Sequence, residues 1–335
     1  MTLQGMSVKE LNKDMLLAFY EQLWRIRLFE GQVQRLAARG EVPGFPHLST
    51  GQEAVAVGVC AHLREDDYLF SGHRAHGHVL AKGSDPYAVF AEIIGRQDGV
   101  CRGRGGSMHL VDVAHGVLGA TGVVAGNVSL AAGAAWAAQV RGESRLAVVF
   151  FGDGATGAGV FHETLNLASL WQLPLLLVCE NNGMAEFTSR EEHSNVAKVS
   201  AFAVPYDIPA QTIDGNDVLA VYEAAREAIE AIRASGAPRL LECMTYRMAG
   251  HYVGDAQHYR SKEELAAMKQ KDPIDRLRRH LVKQGVSDNE LEAVAARVKT
   301  ELDAVVDRAR RAPRPDPATV LEDVYSTAFA MAQRA

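Results

Sequence analysis

Two short segments of the 335-residue chain carry residue types that could do chemistry together: Gly152-Asp153-Gly154, and Asn181-Asn182 some 26 residues further on (Ala155 to Glu180 lie between). A carboxylate, an amide oxygen and a nearby backbone carbonyl are hard oxygen donors of the kind Mg²⁺ takes, usually with water and phosphate oxygens completing the octahedron. The small residues Gly154 and Ala155 leave room for a diphosphate at the start of a following helix, whose free N–H groups favour anions. Either piece alone fits a strand-end turn or a helix cap. The pair at this spacing reads as a metal–diphosphate site.

Such a site needs two neighbouring strands to carry it. Leu146-Ala-Val-Val-Phe-Phe151 runs into Gly152-Asp153-Gly154, and Leu173-Pro-Leu-Leu-Leu-Val-Cys179 runs into Glu180-Asn181-Asn182-Gly183. Both runs are too short and too continuously apolar for amphipathic helices, and read as buried parallel strands. A helix over Gly157 to Trp171 joins them into a strand–helix–strand unit. Asp153 and Asn182 then stand past the carboxyl ends of adjacent strands, the edge where open α/β sheets bind ligands.

Around this unit the periodicity predicts a long helix from Val8 to about Arg39, stopped by Gly40 and Pro43. A second helix begins near Gly51, a third covers about Asp217 to Ala234, and Arg239 to Thr245 follows as a strand. From Ser261 to Arg310 the chain is charged and helical in period, with Pro273 as a start signal. A last helix is expected from about Ala318. The expected organisation is a helical extension over 1–40, an α/β domain with helices on both faces of a parallel sheet over 41–260, and a helical region over 261–335.

Composition removes several function classes. Apolar residues make up 47 % and charged residues 23 %, as in ordinary globular proteins, and the net charge of −6 disfavours nucleic acid as a partner. No apolar run approaches the ~20 residues of a membrane span, and the first residues resemble neither a signal nor a transit peptide. Cys60, Cys101, Cys179 and Cys243 stand about forty or more residues apart without a CxxC pair. That spacing gives neither a disulfide framework nor a thiolate zinc site, and suits a reducing cytoplasm. The glycine-rich stretch Gly103-Arg-Gly-Gly-Ser-Met-His109 lacks GxGxxG and no expected strand precedes it, so it reads as a loop and not as a dinucleotide fingerprint.

The pair GDG…ENN is similar to the thiamine-diphosphate-binding motif. Further stretches extend the likeness: Gly44-Phe-Pro-His-Leu-Ser-Thr-Gly-Gln-Glu53, Gly72-His-Arg-Ala-His-Gly-His78, Gly103 to His109, Leu118-Gly-Ala-Thr-Gly-Val-Val124 and Tyr246-Arg-Met-Ala-Gly-His251. In this order they resemble the alpha subunit of the decarboxylating component of 2-oxo acid dehydrogenase complexes, over roughly Glu30 to Arg260. Gly77-His78…Ala81-Lys82-Gly83, Asn181-Asn182-Gly183…Ala185-Glu186 and Gly254-Asp255-Ala256-Gln257 look most like the acetoin dehydrogenase branch. Pyruvate and branched-chain 2-oxo acid enzymes are the alternatives.

The resemblance implies roles. Asp153, Asn182 and the backbone carbonyl of Met184, where the family usually has Tyr, would hold Mg²⁺. Arg74 would pair with the diphosphate, with His73 beside it; a forked guanidinium suits phosphate. Gly122 and Val124 would offer backbone groups to the aminopyrimidine, and Gly154 and Ala155 would line the diphosphate. His47, His76 and His251 are acid–base candidates, since an imidazole titrates near neutrality. His251 would also border the cofactor. His73, His76 and His78 could be read as a metal cluster, but the run lacks a fourth ligand at zinc-like spacing. His62, His115, His162, His193, His258 and His280 are taken as structural or solvated. Asn127 stands where relatives commonly have Ala, which brings an amide toward the substrate pocket.

The implied activity is C–C cleavage of acetoin with transfer of the two-carbon unit to a lipoyl group on an acyltransferase. The carboxylate that faces the aminopyrimidine in such enzymes belongs to the beta subunit, and 335 residues leave no room for a second α/β domain. An α₂β₂ heterotetramer is therefore expected. The readings from other classes are a non-catalytic scaffold and a nicotinamide dehydrogenase, the latter without its fingerprint.

Overall fold

The computed structural model describes residues 5–322. Its N-terminal half runs α1 (Lys13–Ala37), α2 (Glu53–Cys60), β1 (Tyr68–Ser71), α3 (His76–Lys82), α4 (Pro86–Ile93), β2 (Val117–Ala120), α5 (Gly126–Val140), β3 (Ala147–Gly152) and α6 (Gly159–Leu170). β4 (Leu175–Asn181), the two-residue strands β5 (Met184–Ala185) and β6 (Thr188–Ser189), α7 (Arg190–His193), β7 (Ala210–Asp214), α8 (Val218–Ser235) and β8 (Arg239–Met244) follow. Three helices close the described chain: α9 (Lys262–Lys269), α10 (Pro273–Lys283) and α11 (Asp288–Arg311).

Six strands form one parallel sheet in the order β2-β1-β3-β4-β8-β7. β3 and β4 pair from Ala147↔Leu175 to Gly152↔Glu180, so Asp153 and Asn181-Asn182 leave the sheet side by side. Alternation explains why both runs are apolar throughout. Val148, Phe150, Leu176 and Val178 point into one core, while Ala147, Val149, Phe151, Leu175, Leu177 and Cys179 point into the other. A strand covered on both faces has no polar side to show. The larger core receives Ile26 of α1, Val55 of α2, Val221 of α8, Leu277 of α10 and Leu302 of α11, so segments from 1–40 and 261–335 share it with the sheet. α5 and α6 cover the opposite face.

The chain passes from β1 outward to β2 on one side, then returns to β3 on the other side of β1. The order reverses between β1 and β3, which opens a crevice at their carboxyl ends. Three strands, β1, β2 and β7, escaped the sequence reading; the first two are four residues each, and Ala210-Gln-Thr-Ile-Asp214 lies at a half-exposed edge. The expected helix from Val8 is interrupted. A 3-10 turn at Val8–Glu10 ends before Asn12, whose side chain accepts from the Met15 amide at 3.0 Å and so starts α1 afresh. A 3-10 turn occupies Pro317–Thr319, and the rest of the expected last helix lies largely outside the described residues.

The glycine-rich loop after α4 is shaped by a single carboxylate. Glu92, fully buried, accepts from the amides of Cys101 (2.8 Å) and Gly103 (2.7 Å) on one oxygen and of Gly105 (2.7 Å) and Gly106 (3.0 Å) on the other. Gly99 is needed for this approach, because a Cβ there would lie 2.3 Å from the Glu92 carboxylate. Removing the acceptor orphans four amides, at about 1–3 kcal/mol for each one that water cannot reach. Glu92→Ala is expected to destabilise the chain by about 3 kcal/mol or more, read as a fall in the urea midpoint, with Glu92→Gln intermediate. Equal midpoints for Glu92→Ala and the parent would show that the loop holds itself.

Candidate cofactor and metal site

One cavity of about 330 Å³ lies over the β1–β3 crevice. Its floor and walls are Ser71 to Arg74 after β1, Gly152, Gly154 and Ala155 after β3, and Glu180, Asn182 and Met184 after β4. Thr121 to Ala125, between β2 and α5, form its far end, and His47, Met108, Arg247 and His251 come in from loops. With β2 three strands from β4, the cavity spans roughly 14 Å across the sheet edge.

The β4 end holds a carboxylate without a hydrogen bond. Asp153 is fully buried, yet neither of its oxygens has a hydrogen-bond partner. Burial pushes its carboxyl upward, against the opposing pull of Arg190 and His193. Arg190 donates to the Asp153 carbonyl and the Thr156 hydroxyl, both at 3.3 Å, and the His193 Nε2 stands 3.5 Å from an Asp153 oxygen. Asn182 is oriented from behind: its amide nitrogen donates to Gln52 Oε1 at 3.1 Å, so its Oδ1 turns toward Met184, whose amide it accepts at 3.2 Å. Gly154 packs against the β5–β6 hairpin so closely that a Cβ would meet that of Ala185 at 2.9 Å. An unbonded buried carboxylate, an oriented amide oxygen and the Met184 carbonyl fit a hard dication.

Across the cavity sits the opposite charge, also unpaired. Arg74 is buried and donates to the carbonyls of Leu48 (2.7 Å) and His251 (2.8 Å), with no carboxylate in salt-bridge range among the described residues. Burial, then the neighbouring Arg247, push it down to about 9, which still leaves it a cation at neutral pH. Two guanidinium groups converge on His251: its Nδ1 lies 3.2 Å from Arg74 and 3.1 Å from Arg247. Guanidinium N–H groups only donate, so Nδ1 accepts and the ring proton sits on Nε2.

His47, His73 and His251 form an edge-on triangle, with centroids 4.8, 4.9 and 5.8 Å apart. Burial, then Arg74, lower all three, His47 to about 4 and His251 to about 3. They are neutral imidazoles at pH 7, not the half-protonated groups that free histidine would suggest.

His76 does not join them. It is fully buried outside the cavity wall, its Nδ1 bonded to Glu30 (2.8 Å) and its Nε2 to Ser107 (2.9 Å). Both ring nitrogens are engaged, so His76 fixes α3 against α1 and the 107 loop and does not face a substrate. Nor do His73, His76 and His78 form a metal cluster: His78 bonds Ser71 (2.9 Å) and Glu180 (3.2 Å) and stacks on Phe150. Among the described residues no group of three His, Cys, Asp or Glu is arranged for a metal. Asn127 lines the cavity, but its amide is engaged by the Phe150 carbonyl at 2.7 Å. Gly122 and Val124 lie at the far end, Val124 more than half exposed. His193, which the sequence reading set aside, is the residue it missed; nothing in its polar surroundings signals proximity to Asp153.

The profile of the dehydrogenase E1 component family matches residues 21–318. The chain belongs to that family. Among its relatives are the alpha subunits of acetoin:2,6-dichlorophenolindophenol oxidoreductase from Bacillus subtilis and Cupriavidus necator. The first is 45 % identical over 96 % of both chains; the second is 42 % identical over 96 % of this chain and 97 % of its own length. The alpha subunit of the pyruvate dehydrogenase E1 component of Zymomonas mobilis is 40 % identical over 91 % of this chain and 86 % of its own. Membership implies thiamine diphosphate dependence and work as an alpha subunit beside a beta subunit and a lipoyl acyltransferase. It makes the nicotinamide and scaffold readings unnecessary. Among the described residues no helix is long and apolar enough to cross a membrane.

Two outcomes follow from this E1 geometry. Asp153→Asn removes a buried charge that has no hydrogen bond, so the free chain should melt higher while losing all stabilisation by thiamine diphosphate with Mg²⁺. A thermal-shift titration reads both effects, and a retained shift would remove Asp153 from the site. The imidazoles resist protonation when folded and accept it near pH 6.5 when unfolded, so their contribution is complete above pH 6.5 and is lost as pH falls toward about 4. The decline in melting temperature from pH 7 to 4.5 should therefore be shallower in His47→Gln/His251→Gln than in the parent; parallel curves would contradict the assignment.

Proposed function

We propose that this chain is the alpha subunit of an α₂β₂ enzyme that cleaves the C–C bond of acetoin and passes the two-carbon unit to a lipoyl group of an acyltransferase partner. The observation that carries the cofactor part of this reading is a pair of buried charges: Arg74 in the cavity wall, with no carboxylate in salt-bridge range among the described residues, and Asp153, without a hydrogen bond to its carboxylate, in the turn between the cavity-lining Gly152 and Gly154. The names of the 45 % and 42 % identical relatives favour acetoin; pyruvate, from the 40 % identical one, is the second reading.

In this reading Asp153, Asn182 and the Met184 carbonyl would hold Mg²⁺, which would supply positive charge for the cofactor's diphosphate. Arg74 meets that diphosphate from the other side, and Gly154 and Ala155 let it come close to the backbone. Bound thiamine diphosphate supplies the nucleophilic carbon and the electron sink for C–C cleavage. His251, its proton fixed on Nε2 by Arg74 and Arg247, donates a hydrogen bond toward a developing oxyanion. His47 and His73 are neutral and polarise or relay without placing another cation in the cavity. The backbone at Gly122 and Val124 receives the aminopyrimidine.

The second subunit is supported by what the far end leaves uncovered. Val123 and Val124 are 68 % and 56 % exposed. The carboxylates that line the cavity, Glu180 and Glu186, stand on the β4 side, which supports a beta subunit as the source of the carboxylate facing the aminopyrimidine. Leu130, Trp136 and Val140 of α5 and Leu170 of α6 are also exposed, with Trp136 5.6 Å from Trp171, an apolar surface suited to subunit contact.

The deciding experiment is a dye-linked assay on the co-purified αβ complex with thiamine diphosphate and Mg²⁺. It compares kcat/KM for acetoin, pyruvate and a branched 2-oxo acid. Acetoin is expected to lead by at least tenfold, with no turnover by the alpha chain alone. A lead for pyruvate would keep the site and overturn the substrate.

A further inference from the structure

We infer that His193 is a fourth protein donor to the ion held by Asp153, so that the site binds a first-row transition-metal dication more tightly than Mg²⁺. The inference rests on the cofactor reading above and deepens it. Its first support is distance. The His193 Nε2 stands 3.5 Å from an Asp153 oxygen, and neither atom has a hydrogen-bond partner. That separation is too long for a useful hydrogen bond between charged or neutral partners. It is the separation of two donors sharing one ion, since ligands at about 2.1 Å and roughly 90–110° apart stand about 3.0–3.5 Å from each other.

The second support is that the surrounding structure aims the ring. α7 is only four residues long, but Ser189 and Glu192 close a capping box at its start. Arg190 ties it to the turn after β3 through the Asp153 carbonyl and the Thr156 hydroxyl, and to Val196 through a 2.8 Å bond. The side chain of His193 is 14 % exposed, while its Nε2 is buried, so the nitrogen is not free in solvent.

Chemistry then sets the preference. Asp153, Asn182, the Met184 carbonyl and His193 would supply three oxygens and one imidazole nitrogen, leaving the remaining positions to the cofactor or water. Mg²⁺ takes oxygen ligands and parts reluctantly with water, whereas imidazole favours Co²⁺, Fe²⁺ and Zn²⁺. An imidazole in the set therefore discriminates between the classes.

The test uses the αβ complex with thiamine diphosphate, stripped of metal and titrated with Mg²⁺ or Co²⁺ by calorimetry. His193→Ala is expected to weaken Co²⁺ at least tenfold and Mg²⁺ less than threefold, with His193→Asn as a second variant that keeps a polar side chain. Mn²⁺ loaded into the parent should show the ¹⁴N coupling of a directly bound imidazole by pulsed paramagnetic resonance, absent from both variants. Equal effects on the two ions, or Mn²⁺ without that coupling, overturn the inference while leaving the site in place. Unchanged binding of both ions in Asp153→Ala would instead overturn the cofactor reading beneath it.

Discussion

Two buried charges of opposite sign, neither closed by a hydrogen-bonded ion pair, govern this protein. The cost of desolvating an ion is recovered inside a protein only through close partners. Asp153 has no hydrogen bond to its carboxylate, and Arg74 has only carbonyls and a ring nitrogen. The folded chain carries that cost because the sheet edge and the loops hold both groups in place from outside the cavity. The dication and diphosphate proposed for the site would be a matched pair for these two charges. They neutralise each other as well as the protein, so one ligand relieves both penalties together.

The histidines follow from the same constraint. With Arg74 and Arg247 a few ångströms away, a further positive charge in the cavity is disfavoured, and His47, His73 and His251 are held neutral. Neutrality fixes their chemistry more narrowly than residue type does. For His251 even the tautomer is determined, since two guanidinium groups address one nitrogen. The loop bearing it is braced by Asp255, which accepts from the His251 amide and the Tyr259 hydroxyl, both at 2.6 Å. Buried carboxylates brace other loops in the same way. Glu30 takes the Ser49 amide and hydroxyl, and Glu242 takes the Val199 and Ser200 amides and the side chain of Asn181. Each converts a segment without regular structure into a fixed wall, which is why a cavity made largely of loops has defined geometry.

What the sequence revealed, and what it did not, divides along the same line. β3, β4 and the helix between them were legible because their signals are local: continuous apolar runs, then turn residues, then the oxygen donors. The Asp153–Asn182 pairing followed from the frame alone. β1, β2 and β7 were not legible, since four residues such as Val117-Leu-Gly-Ala120 carry too little period to register. Long-range pairing hid the rest. His76 looks like a free imidazole until Glu30, 46 residues earlier on α1, is packed against it. His193 looks solvated until the β5–β6 hairpin folds α7 back onto the turn after β3. Motifs pointed to the sheet edge; only the tertiary structure sorts histidines that line the cavity there from those that support the scaffold.

The cavity is finished at one end and open at the other, and the asymmetry has a physical basis. The end beside Asp153 and Arg74 holds buried charges, and buried charges need a rigid surround: the carboxyl edges of β1, β3 and β4 supply it. The far end, between β2 and α5, is walled by Thr121 to Ala125 and brings no carboxylate of its own. The exposed valines at 123 and 124 and the exposed apolar side chains of α5 and α6 are surface of the kind that a subunit contact covers.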